Sequence, residues 1–141
     1  NKNIVLPQKI EWNFIENPDL FPTIIVVCFG LGIELFAKGL MTLSYKESNR
    51  LKTMQMEFLK FNCIYNIESK DVVSMKPKLN NNILNELIII DTHNDHRIAL
   101  AFAPLVLLGW KLKICNPEVI NKSYRNFWYD LRKFGIEIKH L

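Results

Sequence analysis

Three short polar clusters hold the residues of this chain best suited to chemistry. They are Asn17-Pro18-Asp19, Lys46-Glu47-Ser48-Asn49-Arg50 and Asn94-Asp95-His96-Arg97, with Lys122 as a fourth, single point. Each falls where a strand pattern gives way to a helix pattern. Helix N-termini carry free N–H groups and the positive end of the helix dipole, so they attract phosphate and carboxylate groups. Arg50 and Arg97 add forked donors that match such oxygens, while Lys46 and Lys122 add point charges. Asp19 and Glu47 are the carboxylates placed to act as acid or base. The plainer reading makes Asp19 and Asp95 helix caps, the 46–50 run a solvated face and His96 a hydrogen-bonded structural residue. Recurrence of cations and carboxylates at equivalent junctions favours an anion site, and spacing alone goes no further.

Junctions of this kind need strands and helices in alternation. Lys9–Ile15 alternates like a half-buried strand, and the Asn17-Pro18-Asp19 turn opens an apolar helix expected to run to about Lys38 and stop at Gly39. A short strand is expected over Leu40–Ser44, then a helix over Ser48–Phe61 with Leu51, Met54, Phe58 and Phe61 on one face. Cys63–Ile67 and Val72–Lys76 read as a strand pair, Pro77–Glu86 as a surface loop and Leu87–Ile90 as a buried strand. The order then repeats, with a helix over Ile98–Leu108, a strand over Lys111–Cys115, a helix over Ser123–Phe134 and a strand over Ile136–Lys139. Asp19 and Lys46 are 27 residues apart, as are Asp95 and Lys122. The second helices end alike, in Lys60-Phe61-Asn62 and Lys133-Phe134-Gly135. An α/β (α+β) fold built from two copies of one β-α-β-α-β unit, roughly 8–76 and 87–141, is the architecture expected.

Composition bounds the remaining classes. The chain has 141 residues, 49% hydrophobic and 23% charged, enough to bury a core without disulfides or metal. Its net charge of +4 is scattered rather than clustered, which suits a mildly basic surface and gives no basic stripe for nucleic acid. Cys28, Cys63 and Cys115 form no CxxC pair and read as reduced core residues of a cytoplasmic protein. The apolar runs at 23–33 and 98–110 are too short to span a bilayer. Phosphate-loop, dinucleotide and nucleophile-elbow motifs are absent from the sequence, no cofactor is implied, and His93 and His96 make a poor metal set. The chain opens on Asn1 rather than Met, which suggests an internal start.

Taken together, the motifs resemble one family. Pro18-Asp19 followed by Thr23, Lys46-Glu47-Ser48-Asn49-Arg50-Leu51, Asn94-Asp95-His96-Arg97-Ile98-Ala99, and Asn116-Pro117 through Lys122-Ser123-Tyr124 are similar in order and spacing to stretches of the 5-enolpyruvylshikimate-3-phosphate (EPSP) synthases. The resemblance implies two domains of repeated β-α-β-α-β-β units. About two units of the C-terminal domain would lie here, and the N-terminal domain elsewhere in the polypeptide. It implies transfer of the enolpyruvyl group of phosphoenolpyruvate to the 5-hydroxyl of shikimate-3-phosphate, with glyphosate binding similarly to phosphoenolpyruvate. On this resemblance Asp19, Glu47 and Lys46 take catalytic roles, and Arg50, Arg97 and Lys122 grip the anionic groups of phosphoenolpyruvate, with His96 in support. The isolated chain is then expected to fold at least in part and not to turn over. The alternative is a non-catalytic anion- or nucleic-acid-binding domain of the same repeat fold. Asn49 and Asn116 stand where the family usually has aspartate, Ile98 where it has methionine, and Pro104 should break its helix.

Overall fold

The computed structural model describes residues 5–78 and 86–139. Chain order gives β1 (Lys9–Asn13), α1 (Phe21–Gly30), β2 (Glu34–Lys38), α2 (Arg50–Leu59), β3 (Ile64–Ser69), β4 (Val72–Lys76), β5 (Leu87–Ile90), α3 (His96–Phe102), β6 (Lys111–Ile114) and α4 (Phe127–Lys133). Short 3₁₀ turns at Pro18–Leu20, Met41–Tyr45, Ala103–Leu108 and Pro117–Lys122 join them. The first half forms a mixed sheet in the order β1-β2-β4-β3, and the second a parallel pair, β5-β6. In both halves a parallel pair is joined through a helix, β1-α1-β2 and β5-α3-β6.

Five expectations need correction. The helix expected over Ser123–Phe134 begins only at Phe127, after non-helical residues 123–126. The first helix ends at Gly30 instead of running to Lys38. Ile33 N–H donates to Cys28 C=O (2.8 Å) and Gly32 N–H to Phe29 C=O (3.1 Å), with Gly32 at φ 73°. This closing pattern satisfies the last carbonyls of a helix and needs a residue that tolerates positive φ. It frees Glu34–Lys38 to become β2, whose Leu35 and Ala37 face the core. Residues 41–45 form a 3₁₀ turn rather than a strand. The Asp71 carboxylate at the β3–β4 tip accepts from Leu40 N–H (2.9 Å) and Met41 N–H (3.1 Å), so these donors have no use for a ladder partner. Leu87–Ile90 is buried on one face alone, with Leu87 and Ile89 exposed on the other. Residues 136–139 carry no strand. The expected 77–86 loop lies largely outside the described residues.

Pro104 acts as expected, since α3 gives way at Ala103 to the 3₁₀ turn. Cys28 and Cys63 are buried free thiols, and burial pushes Cys63 up to about 12, while Cys115 is half-exposed.

One core spans both halves. Phe29 and Phe61 each lie against Trp110, at 5.8 and 5.0 Å between ring centroids, and Phe58 and Phe61 lie against Phe102, at 5.2 and 5.6 Å. Such pairs are worth roughly 0.5–1.5 kcal/mol each beyond the area they bury. This aromatic joint fixes α1 and α2 of the first half against α3 and the start of β6, and so holds the polar junctions of the two halves in register.

Candidate functional site

The junctions that follow β1, β2 and β5 converge on one ionic cluster. Asp19 lies in the Pro18–Leu20 turn, Lys46 to Asn49 lead into α2, and Asp95 to Arg97 open α3. Clustering where strands give way to helices is the usual placing of ligand sites in α/β folds.

Arg50 is the hub. It is the first residue of α2, where a cation opposes the helix dipole, and its side chain is 1% exposed. Burying such a charge costs several kcal/mol unless partners surround it. Here they do. Nη1 donates to Asp19 Oδ1 (2.7 Å), Nη2 to Glu47 Oε2 (2.6 Å) and Asp95 Oδ1 (3.2 Å), and Nε to Asp95 Oδ2 (2.7 Å). Burial works to lower the Arg50 pKa, but bonds and charge from Asp95, then Glu47 and Asp19, outweigh it and raise it.

Around this floor stands a more accessible rim. Lys46 Nζ lies 3.3 Å from Asp19 Oδ1, and Arg97 donates to Asp19 Oδ2 (3.3 Å) and to the Asp19 carbonyl (3.2 Å). Burial tends to raise the pKa of Asp19, yet Arg97, Lys46 and Arg50 together hold it below the ordinary value. Asp19 and Glu47 keep 39% and 42% of their side-chain surface exposed, so both remain open to a ligand. His96 Nδ1 is buried without a hydrogen bond and lies 3.8 Å from Glu47 Oε1.

Six of the seven residues singled out from sequence therefore meet: Asp19, Lys46, Glu47, Arg50, His96 and Arg97. Lys122 does not join them. It is an exposed residue at the end of the Pro117–Lys122 turn, and among the described residues no ion pair or hydrogen bond links it to the cluster. That turn nevertheless packs against α3 through Val119, Ile120 and Ala99.

Sequence reasoning gave Asp95 no more than a capping role and passed over Ser48. The carboxylate does cap α3, accepting from Arg97 N–H (3.0 Å), and it also takes the Ser48 hydroxyl (3.0 Å) and two bonds from Arg50. Its burial could not be read from spacing. Asn49 caps α2 by accepting from Lys52 N–H (3.3 Å), a task asparagine and aspartate perform about equally.

The model of the EPSP synthase (3-phosphoshikimate 1-carboxyvinyltransferase) family matches residues 6–131, nearly the whole chain. This chain belongs to the EPSP synthase family. Among its relatives, the 3-phosphoshikimate 1-carboxyvinyltransferase of Bacteroides fragilis (strain YCH46) is 32% identical over 138 residues, covering 98% of this chain and 33% of the relative. The enzyme of the same name from Buchnera aphidicola subsp. Schizaphis graminum is 32% identical over 129 residues, 91% of this chain and 29% of its own length. The solved EPSP synthase of Acinetobacter baumannii shares the fold, with a TM-score of 0.64 and 20% identity over 82% of this chain and 27% of that one. The chain thus spans about a third of the length of the curated relatives it matches. Among the described residues no helix is long and apolar enough to cross a membrane.

Proposed function

We propose that this chain forms part of the active site of a 3-phosphoshikimate 1-carboxyvinyltransferase, a cytoplasmic enzyme of the shikimate pathway. One observation carries the reading: Arg50 bridges two half-exposed carboxylates, Asp19 and Glu47, with Lys46 and Arg97 flanking Asp19. A site meant merely to hold an anion would not point two carboxylates at its ligand. An addition–elimination needs both signs of charge, because protons move while oxygens gain charge.

In this reading the 5-hydroxyl of shikimate-3-phosphate attacks C2 of phosphoenolpyruvate and gives its proton to Asp19. Glu47 supplies a proton to the methylene carbon, which becomes a methyl group in a tetrahedral ketal. Glu47 then takes a proton back from that methyl group as the C–O bond to phosphate breaks, and the proton held by Asp19 leaves with the phosphate. Lys46 and Arg97 stabilise the charge growing on oxygen, the buried Arg50 holds Asp19 and Glu47 in place beneath them, His96 supports Glu47, and Lys122, exposed outside the cluster, is a further cation for phosphoenolpyruvate. Glyphosate would occupy the same cations. The segments 8–76 and 87–141 are two copies of the family's repeat within its C-terminal domain, and the N-terminal domain supplies the facing half of the cleft.

Phosphate release from the two substrates, measured on this chain and on the complete gene product carrying it, tests the proposal. Glu47→Gln in the complete product should lower kcat about 10²-fold or more, with a much smaller change in KM. Wild-type turnover in that variant would remove Glu47 from the mechanism. The second reading is a non-catalytic anion- or nucleic-acid-binding domain, and salt-dependent RNA binding by this chain would favour it.

A further inference from the structure

Asp95 belongs to the same cluster but has no surface with which to meet a substrate, being 0% exposed. Its four bonds use its whole accepting capacity. Oδ1 takes Arg50 Nη2 and Arg97 N–H, and Oδ2 takes Arg50 Nε and the Ser48 hydroxyl. Three of these four donors come from the Lys46–Arg50 junction and one from α3, so a single carboxylate ties together two junctions 45 residues apart in sequence.

The loop that delivers Asp95 is itself held. His93 and Asn94 adopt left-handed backbone at φ 50° and 58°, a conformation that costs a non-glycine residue free energy and persists where its surroundings enforce it. Glu57 enforces it here. This second buried carboxylate, on α2, bonds His93 Nε2 (3.0 Å) and accepts from Asp91 N–H (3.2 Å), while Asp95 N–H donates to Thr92 C=O (2.8 Å). Helix α2 therefore grips the β5–α3 loop twice, through Glu57 and through Arg50.

We propose that Asp95 is the positioning residue of this site: it clamps the Arg50 guanidinium and caps α3 with one carboxylate, setting Asp19, Glu47 and Arg97 relative to one another. The catalytic consequence rests on the carboxyvinyltransferase reading, whereas the clamp itself does not. An amide cannot replace the carboxylate. With its nitrogen at Oδ2 it faces Arg50 Nε–H, and with its nitrogen at Oδ1 it faces Arg50 Nη2–H and Arg97 N–H, and none of these groups can accept.

Two measurements on the complete gene product test the clamp. In arginine-labelled protein, hydrogen exchange at Arg50 Nε–H should be slow, and Asp95→Asn should speed it about tenfold or more. In the same variant KM for phosphoenolpyruvate should rise about tenfold or more, with KM for shikimate-3-phosphate changing less than about threefold. A purely structural role would lower the folded fraction and leave both KM values alone. Should Asp95→Asn fail to fold, Ser48→Ala, which removes one bond to Asp95, should show the same two shifts at about two- to fivefold. Protected Nε–H and unchanged KM in the variants would overturn the proposal. If the wild-type product releases no phosphate, the carboxyvinyltransferase reading falls, and the exchange measurement still decides whether Asp95 clamps Arg50.

Discussion

Asp19 and Asp95 occupy corresponding places in the two halves of this chain, each following the first strand of its half and preceding the first helix. Their surroundings differ sharply. Asp19 is 39% exposed and is met by three cations, Lys46, Arg50 and Arg97, whereas Asp95 is 0% exposed and, among the described residues, is paired with Arg50. One reason is local. Asp19 sits in a 3₁₀ turn ahead of α1 and its side chain is turned to the cations of the cluster, while Asp95 is the cap of α3, with its side chain turned into the helix end. The same residue type at the strand-to-helix step of each half is thus an accessible carboxylate in one and a buried strut in the other.

The largest expected effect breaks the comparison at Asp19. Asp19→Asn in the complete gene product should lower the rate of phosphate release roughly 10²–10⁴-fold. Its denaturation midpoint should move little, because each ion pair of a half-exposed carboxylate contributes about 0–1 kcal/mol. Asp95→Ala should reverse the emphasis. Leaving Arg50 buried without its main partner costs roughly 3–5 kcal/mol, which urea denaturation would read directly. Similar stability losses in both variants would mean that burial does not separate the two aspartates.

A pH series sharpens the contrast. The folded-state pKa of Asp19 is lowered, so its ion pairs stabilise the fold fully above the ordinary carboxylate value of about 3.9, and that contribution is lost as pH falls through the lowered value. Acid unfolding of Asp19→Asn should therefore be shallower below about pH 4 than that of the unchanged protein. Parallel acid limbs would show that Asp19 is not held ionised in the fold. The smallest effect concerns the cap beside Arg50. Asn49→Asp should be nearly neutral and Asn49→Ala should cost about 1 kcal/mol, compared by thermal denaturation.

Much of this was legible in the sequence. The residues that meet at the site stand in short runs at strand-to-helix junctions, and a polar run between two apolar patterns has few places to be other than an edge. The strand pair β3–β4, helix α2 and the break at Pro104 followed from alternation, helical spacing and the chemistry of proline. The end of α1 was harder, because Thr23 to Ile33 is apolar throughout and carries no period that marks its end. The signal present was Gly32 followed by the alternating Glu34–Lys38, which fits a left-handed closure and a strand. Residues 41–45 misled for another reason, since the group that claims their first amides, Asp71, lies 30 residues away in the chain.

By itself the sequence determined the residue types of the site and much of the alternation of elements that carries them, because these depend on local order and spacing, and its motifs resemble the EPSP synthase family. Tertiary structure decided which carboxylate is buried, that Arg50 joins three of them, and that Lys122 stands apart from the cluster in this chain. Those outcomes depend on how α2 and the β5–α3 loop pack against each other across one aromatic core, and packing between segments far apart in the chain leaves no periodic trace in either.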